Sequence, residues 1–317
     1  MKSLLLMLSL AVSLAPAPAP AQYPARPIHL IVPLAAGGPT DNAARAVAQA
    51  LSKAVGQPVV VENKPGADGA IGTQAVAHAA PDGYTLLFAP SSIVAIPRMH
   101  KSTDIDPSND LAPVSMIGRF PFCLYVHPSV PATSVSELVA YARANPGKLN
   151  FATSTASEFL AAAQFMKATG VRMTRVPYKG AAQAFPDLIS GRVQVNFGPL
   201  SVGLPYAREG RLRILATLLP ERSSLAPEIP TMLEAGVPEA TVPTWQALFL
   251  PARTPEEVVN RMSREVNAVL QAGDVRAQLA RLALHVEGST PQMLGATVRA
   301  DGRLWDEFVR EYGLGTE

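Results

Sequence analysis

Cysteine is almost missing from this 317-residue sequence, with Cys123 the single example. No internal disulfide can form, and no Cys/His cluster offers metal ligands. Cys123 sits in the apolar stretch 122–126, and His127 would lie about 13 Å further along a strand. It therefore reads as a buried structural residue and not as an activated nucleophile. Histidine is thin as well: His29, His78, His100, His127 and His285 are widely scattered. There is no H-E-x-x-H pair and no G-x-S-x-G nucleophile elbow. A hydrolase would have to assemble its site from distant loops, and no catalytic residue is assigned. Charged residues make up only 16% of the chain, formal net charge is +2, and Lys and Arg form no run. That leaves no electrostatic footprint for nucleic acid. Long apolar runs are also scarce. The strongest, over 4–14, is too short for a bilayer span, which needs about 20 residues.

That short run has another reading. Lys2 supplies a positive n-region, and Ala19-Pro20-Ala21 places small residues at the −3 and −1 positions of a cleavage site. Residues 1–21 are expected to be a cleavable export signal, removed near Ala21, which sends the protein to the periplasm. No cysteine follows the run, so a lipid anchor is not expected. The roughly 300 residues that remain reach the size at which single cores split into domains.

What is present is apolar residue and proline. Hydrophobic residues make up 48% of the chain, which favours a well-buried globular fold over disorder. The 30 prolines are about twice average usage and mark many rigid connections between short elements. The pattern predicts strands over 28–33, 59–62 and 84–89. Helices over 39–55 and 70–79 separate them, the first closed by Gly56. Strand–helix–strand–helix–strand order implies a parallel, helix-covered sheet. A second α/β unit follows, with strands over 122–127, 149–152, 174–178, 193–197 and 212–217. Helices are expected to about 144, to about 169 and over 181–190. Ser134 to Glu137 and Thr254 to Glu257 read as capping boxes, the second starting a helix to about 271. Thr290-Pro291 opens a last helix ending near Tyr312.

Ligands in open α/β sheets sit at strand C-termini. The first unit offers three such loops: 34–41, 66–72 and Pro90-Ser91-Ser92. The second offers Thr153-Ser154-Thr155, Tyr178-Lys179-Gly180 and Gly198-Pro199. Gly37 and Gly38 let backbone approach a ligand and lead into a helix N-terminus, where unpaired N–H groups suit an anion. An ordinary glycine-rich turn has the same spacing, with Asp41 favouring the helix dipole. Gly66, Gly69 and Gly72 follow a strand and precede a helix. Their spacing is G-x-x-G-x-x-G, not the dinucleotide G-x-G-x-x-G. Three hydroxyls at 153–155 exceed what capping alone needs. Lys179 would pair with a carboxylate there or be a surface lysine. Tyr178 and Trp245 fit either a cleft wall or packing.

The spaced motifs carry a resemblance over essentially the whole mature chain. Tyr23-Pro24-x-Arg26-Pro27-Ile28 leads to Val32-Pro33-x-Ala35-x-Gly37-Gly38-x-x-Asp41. Val61-Glu62-Asn63-Lys64-Pro65-Gly66-Ala67-x-Gly69-x-Ile71-Gly72 follows, then Pro81-Asp82-Gly83-Tyr84-Thr85-Leu86. Further on come Val176-Pro177-Tyr178-Lys179-Gly180, Ser190-Gly191-x-Val193 and Trp245-x-x-Leu248-x-x-Pro251-x-x-Thr254-Pro255. The sequence resembles the Bug family, the TctC-like extracytoplasmic solute receptors of tripartite tricarboxylate transporters.

The resemblance implies an α/β, two-lobed periplasmic binding protein of type II topology, with its cleft between the lobes. Lobe 1 would be 22–122 plus 220–317, and lobe 2 would be 123–219. It implies a small carboxylate held by first-lobe backbone, second-lobe hydroxyls and ordered waters. The ligand would be a dicarboxylate, an acidic amino acid or an aromatic acid. Carried over, the first-lobe site residues are Leu34, Ala36, Gly37, Gly38, Thr40, Asp41, Ala67, Gly69, Ala70 and Ser91. From the second lobe come Thr153, Ser154, Thr155, Ser157, Tyr178 and Gly198. The sequence departs from many members at 153–159, where a glycine-rich stretch and a histidine give way to hydroxyls and Glu158-Phe159. Glu158 would pair with an amino group of the ligand or simply favour the helix N-terminus. The implied partner is a membrane permease or, alternatively, a sensor kinase. A monomer without catalysis, cofactor or metal is expected.

Overall fold

The computed structural model describes residues 23–99, 103–178, 181–240 and 242–313. The export signal, Lys179 and Gly180 lie outside the described residues.

The described residues begin with β1 (Ile28–Val32), α1 (Pro39–Val55), β2 (Val59–Asn63), α2 (Ala70–Ala77) and β3 (Thr85–Pro90). A 3-10 turn, Ala67–Gly69, precedes α2, and another, Ser91–Ala95, leads from β3 into α3 (Ile96–Met99). Next come α4 (Pro107–Asp110), β4 (Leu111–Arg119) and β5 (Phe122–Val126). The second half has α5 (Val135–Ala144), β6 (Asn150–Thr153), α6 (Ala156–Thr169), β7 (Thr174–Pro177), α7 (Ala181–Ile189) and β8 (Val195–Pro199). It continues with α8 (Leu200–Arg208), β9 (Arg213–Thr217), β10 (Trp245–Pro251), α9 (Glu256–Gln271), α10 (Gly273–Arg281), β11 (His285–Val286) and α11 (Pro291–Tyr312).

Two sheets result. One has the order β11-β4-β10-β3-β1-β2, and the other β7-β6-β8-β5-β9. β1 is parallel to β2 and β3, as the alternating order requires. β10 runs antiparallel between β3 and β4. In the second sheet β6 is parallel to β7 and β8, whereas β5 is antiparallel to β8 and β9. The chain passes between sheets at Phe120-Pro121 and returns between β9 and β10. This is the two-lobed periplasmic binding protein fold of type II topology.

β1 shows how sequence becomes packing. Ile28, Leu30 and Val32 share one face, since strand side chains alternate. They pack with Val47 and Leu51 of α1 and Met262 and Val266 of α9. His29 faces outward and hydrogen-bonds Glu62 through Nδ1. α11 reaches across the lobes, placing the Phe308 and Tyr312 rings 5.2 and 5.4 Å from the Phe159 ring of α6.

Several expectations need correcting. β4 and β10 were not legible, although they form the spine of the first sheet. All seven residues of β10 are buried, and a short continuous apolar run has no strand signature. β4 contains Pro113 and Gly118, which argue against a central strand; the register shifts opposite Pro113. The Thr254 capping box does not form: Pro255 is the N-cap, and the Thr254 hydroxyl donates to Pro251 O at 2.8 Å. Ser134 does cap α5, accepting from Glu137 N at 3.2 Å. The Glu137 carboxylate, however, reaches one residue further back, to the Thr133 N–H at 2.6 Å and its hydroxyl at 2.8 Å. The strand expected over 193–197 begins and ends two residues later, as Val195–Pro199.

Candidate functional site

A cavity of about 570 Å³ lies between the two sheets. From the first lobe it is lined by Leu34, Pro39 and Thr40 after β1, Asp68 after β2, and Pro90 to Ser92 after β3. From the second lobe come 153–157, Phe159, Arg175, Tyr178, Pro199 and Ser201. The crossover segments add Phe120, Pro243 and Thr244, β5 and β10 add Phe122 and Gln246, and Ile96 and Met99 extend the apolar wall.

The loop after β1 is pinned from beneath. The buried Asp41 carboxylate accepts from the Gly37 N–H at 2.8 Å, Arg45 Nε at 3.0 Å and Asn63 Nδ2 at 2.9 Å. Asn63 Nδ2 also donates to Leu34 O at 3.0 Å. Burial pushes the Asp41 carboxyl up, but the bonds from Arg45, Gly37 and Asn63 outweigh it and hold it below the usual range. Asp41 thus shapes the loop from behind and is not a lining residue. Gly37 has φ +83°, which requires glycine, and its N–H is already committed. Gly38 is different: it is the α1 N-cap in extended conformation, with no side-chain cap. Pro39 occupies the first turn without an N–H, and the Thr40 and Asp41 N–H groups have no intrahelical partner. This uncapped positive end faces the cavity through Thr40 and suits an anion.

The second loop carries strain. Gly66, Ala67, Asp68 and Gly69 all have positive φ. For Ala67 and Asp68, left-handed backbone costs about 1–2 kcal/mol each, which is a mark of functional segments. Of this turn Asp68 lines the cavity, while Ala67, Gly69 and Ala70 stand behind it. The three spaced glycines have a packing explanation at their last member. A Cβ on Gly72 would fall 2.7 Å from Lys64 O and from Pro33 Cα, so α2 sits directly against the backbone there. That accounts for Gly72 without a nucleotide.

The hydroxyl run of the second lobe is largely committed. Thr155 caps α6, accepting from Glu158 N at 3.2 Å. The Ser154 hydroxyl donates to the Glu158 carboxylate at 2.9 Å, and the Ser154 N–H bonds the same group. Glu158 is buried and behind the lining, so its role is to hold the 153–155 turn. Burial raises its pKa against the opposing Ser154 and Thr155 bonds. Thr153 Oγ1 accepts from Arg175 Nε at 3.0 Å. Thr40, Ser92 and Ser157 line the cavity with no hydroxyl bond to protein among the described residues.

Other expected residues sort out similarly. Ser91 lines the cavity, and its hydroxyl donates to Pro243 O at 2.7 Å, tying β3 to the return crossover. Tyr178 presents its ring, and its hydroxyl donates to Asp187 at 2.9 Å. Burial and that bond push the phenol up to about 12. Ala36, Gly37, Gly38 and Gly198 do not line the cavity. A Cβ on Gly198 would meet Asn196 Oδ1 at 2.3 Å, so it is a packing glycine, and Pro199 and Ser201 take its place. Trp245 is fully buried, with Nε1 donating to Asp301 at 2.6 Å. Arg175, Phe159, Phe120, Phe122 and Gln246 were missed. A lone arginine inside a short strand just before Pro177-Tyr178 was the one available signal.

The chain matches the family model described as Tripartite tricarboxylate transporter family receptor over residues 43–314. It is 37% identical over 296 residues to Protein BugT of Bordetella pertussis, covering 92% of this chain and 90% of that one. Among solved structures it is similar to an R. palustris protein with adipate, at 34% identity and TM-score 0.78. That match covers 92% of this chain and 99% of the other. MatC from Rhodopseudomonas palustris with bound malate matches at 30% identity and TM-score 0.71, over 90% and 100% of the two chains. A TctC solute binding protein from Polaromonas matches at 28% identity and TM-score 0.81, over 91% and 99%.

Proposed function

Because this chain belongs to the family of tripartite tricarboxylate transporter receptors, we propose that it captures a small carboxylate in the periplasm for a membrane permease of that transporter class. The observation that carries the reading is the uncapped α1 N-terminus opening onto a cavity between two sheets. Unpaired backbone N–H groups and the helix dipole recognise a carboxylate without needing a cationic side chain. The cavity volume of about 570 Å³ falls in the range of small-molecule sites. The adipate and malate carried by two relatives support the ligand class.

Capture would proceed by lobe closure. The first lobe is 22–122 plus 220–317 and the second is 123–219, so closure would hinge at the two crossovers, after β4 and after β9. Residues 1–21 direct export and are removed near Ala21, and the mature receptor acts as a monomer. Ligand contact falls to the α1 N-terminus, the 67–70 turn through Asp68, Ser91, the 153–157 segment and Tyr178. The chemistry asked of these groups is binding and desolvation, not turnover.

Isothermal titration of the mature protein against dicarboxylates, acidic amino acids and aromatic acids tests this. Saturable binding of at least one carboxylate, and none of the matching amide, is expected. Absence of heat and of any thermal shift across the panel would contradict it.

A further inference from the structure

The cleft holds a cation that the backbone recognition of a single carboxylate does not use. Arg175 lies on β7, and among the described lining residues it is the one lysine or arginine. Its Nε donates to Thr153 Oγ1 at 3.0 Å, and its guanidinium carbon sits 4.0 Å over the Phe159 ring. That ring is itself held, with Phe308 and Tyr312 packed edge-on at 72° and 71°. One edge and one face of the guanidinium are thereby fixed. Its two terminal nitrogens make no hydrogen bond or ion pair to a described residue. Six other arginines, Arg26, Arg45, Arg98, Arg119, Arg192 and Arg222, each pair with a carboxylate.

A planar fork with its outer donors open matches a carboxylate bidentately. The uncapped α1 N-terminus belongs to the first lobe and Arg175 to the second. Phe120, Phe122, Ile96 and Met99 give the same cavity an apolar wall. We propose that Arg175 is the specificity-determining residue through which this cleft reads a second negative group on its ligand, favouring dianions with an apolar linker over monoanions of equal length. This rests on the carboxylate-receptor reading above. Thr153 and Phe159 act as positioning residues that keep the fork aimed.

The test uses two ligand series with the mature protein: straight-chain dicarboxylates from succinate to suberate, and monocarboxylates of the same carbon numbers. Wild type is expected to prefer the best dicarboxylate over its monocarboxylate by roughly tenfold to a hundredfold, the strength of a charge-assisted bond. Arg175→Gln should erase that preference, leave monocarboxylate affinity within about threefold, and keep the thermal midpoint, since the residue is exposed. Arg175→Lys, keeping charge but not the fork, should recover part of it. Equal affinity of wild type for both series, or a preference untouched in Arg175→Gln, would overturn the role of Arg175 while leaving the receptor reading intact. Absence of binding to either series by wild type would overturn the preference for dianions with an apolar linker, while the wider carboxylate panel above decides the receptor reading.

Discussion

The Gly37 N–H donates to the Asp41 carboxylate across 2.8 Å, closing the loop after β1 onto the first turn of its own helix. The same carboxylate holds Arg45 and, through Asn63, the neighbouring strand. Backbone that would meet a ligand is therefore shaped before the ligand arrives, which lowers the ordering cost of binding.

Asp41→Ala removes an acceptor shared by three donors and leaves the Gly37 N–H unpaired. It should cost about 2–3 kcal/mol of stability in urea unfolding and weaken carboxylate binding by tenfold or more. The pH dependence has a defined sign. The folded carboxyl is held low, so its contribution is present above the ordinary carboxylate range and is lost as pH falls through the folded value. Unchanged stability in Asp41→Ala would show that the loop is held by other contacts.

Gly38→Ser separates fold from recognition. An added Cβ there meets only Ala35 O at 3.6 Å, and the backbone already has N-cap geometry. Serine is a good N-cap, so the thermal midpoint should stay level or rise. Its hydroxyl would occupy the N–H groups left open for an anion, so affinity should fall roughly tenfold. A stable variant that binds carboxylate normally would move the anion site away from α1.

Asp301 sets a pH dependence of the opposite sign. Burial pushes its carboxyl from 3.8 up to about 6, against the Trp245 Nε1 bond and the charge of Arg119. Its folded pKa is raised, so the stability it lends is complete below 3.8 and lost as pH rises through about 6. Asp301→Asn keeps an acceptor for Trp245 and should gain on wild type as pH rises from 4 to 7, by at most about 3 kcal/mol. Parallel urea stability curves for the two proteins across that range would refute this.

Cys123 should be silent. It is fully buried, and burial pushes its thiol up to about 12. A thiol-specific disulfide reagent at pH 8 should label none of it in the native protein and one equivalent in denaturant. Rapid native labelling would place the thiol within reach of solvent.

The parts of this fold that were legible are those with a period or a punctuation mark. α1 runs from Pro39 to Val55 because its apolar residues recur every third or fourth position and Gly56 ends it with φ +70°. α11 starts where Thr290 caps Met293 N. The spine strands β4 and β10 were illegible because their identity comes from tertiary pairing, not from alternation. In the site, loops at strand ends were legible and their division of labour was not. Which glycine needs positive φ, which hydroxyl is already bonded and which arginine reaches the cavity with open donors all depend on contacts between distant residues. Arg175 and Phe159, on different elements, acquire meaning only when stacked.

The most direct measurement is a crystal structure of the mature protein with the carboxylate that binds it most tightly. The ligand should lie between the two sheets, with carboxylate oxygens about 3 Å from the Thr40 and Asp41 backbone nitrogens. A ligand seated outside the cleft, or one whose carboxylate avoids the α1 N-terminus, would contradict the account.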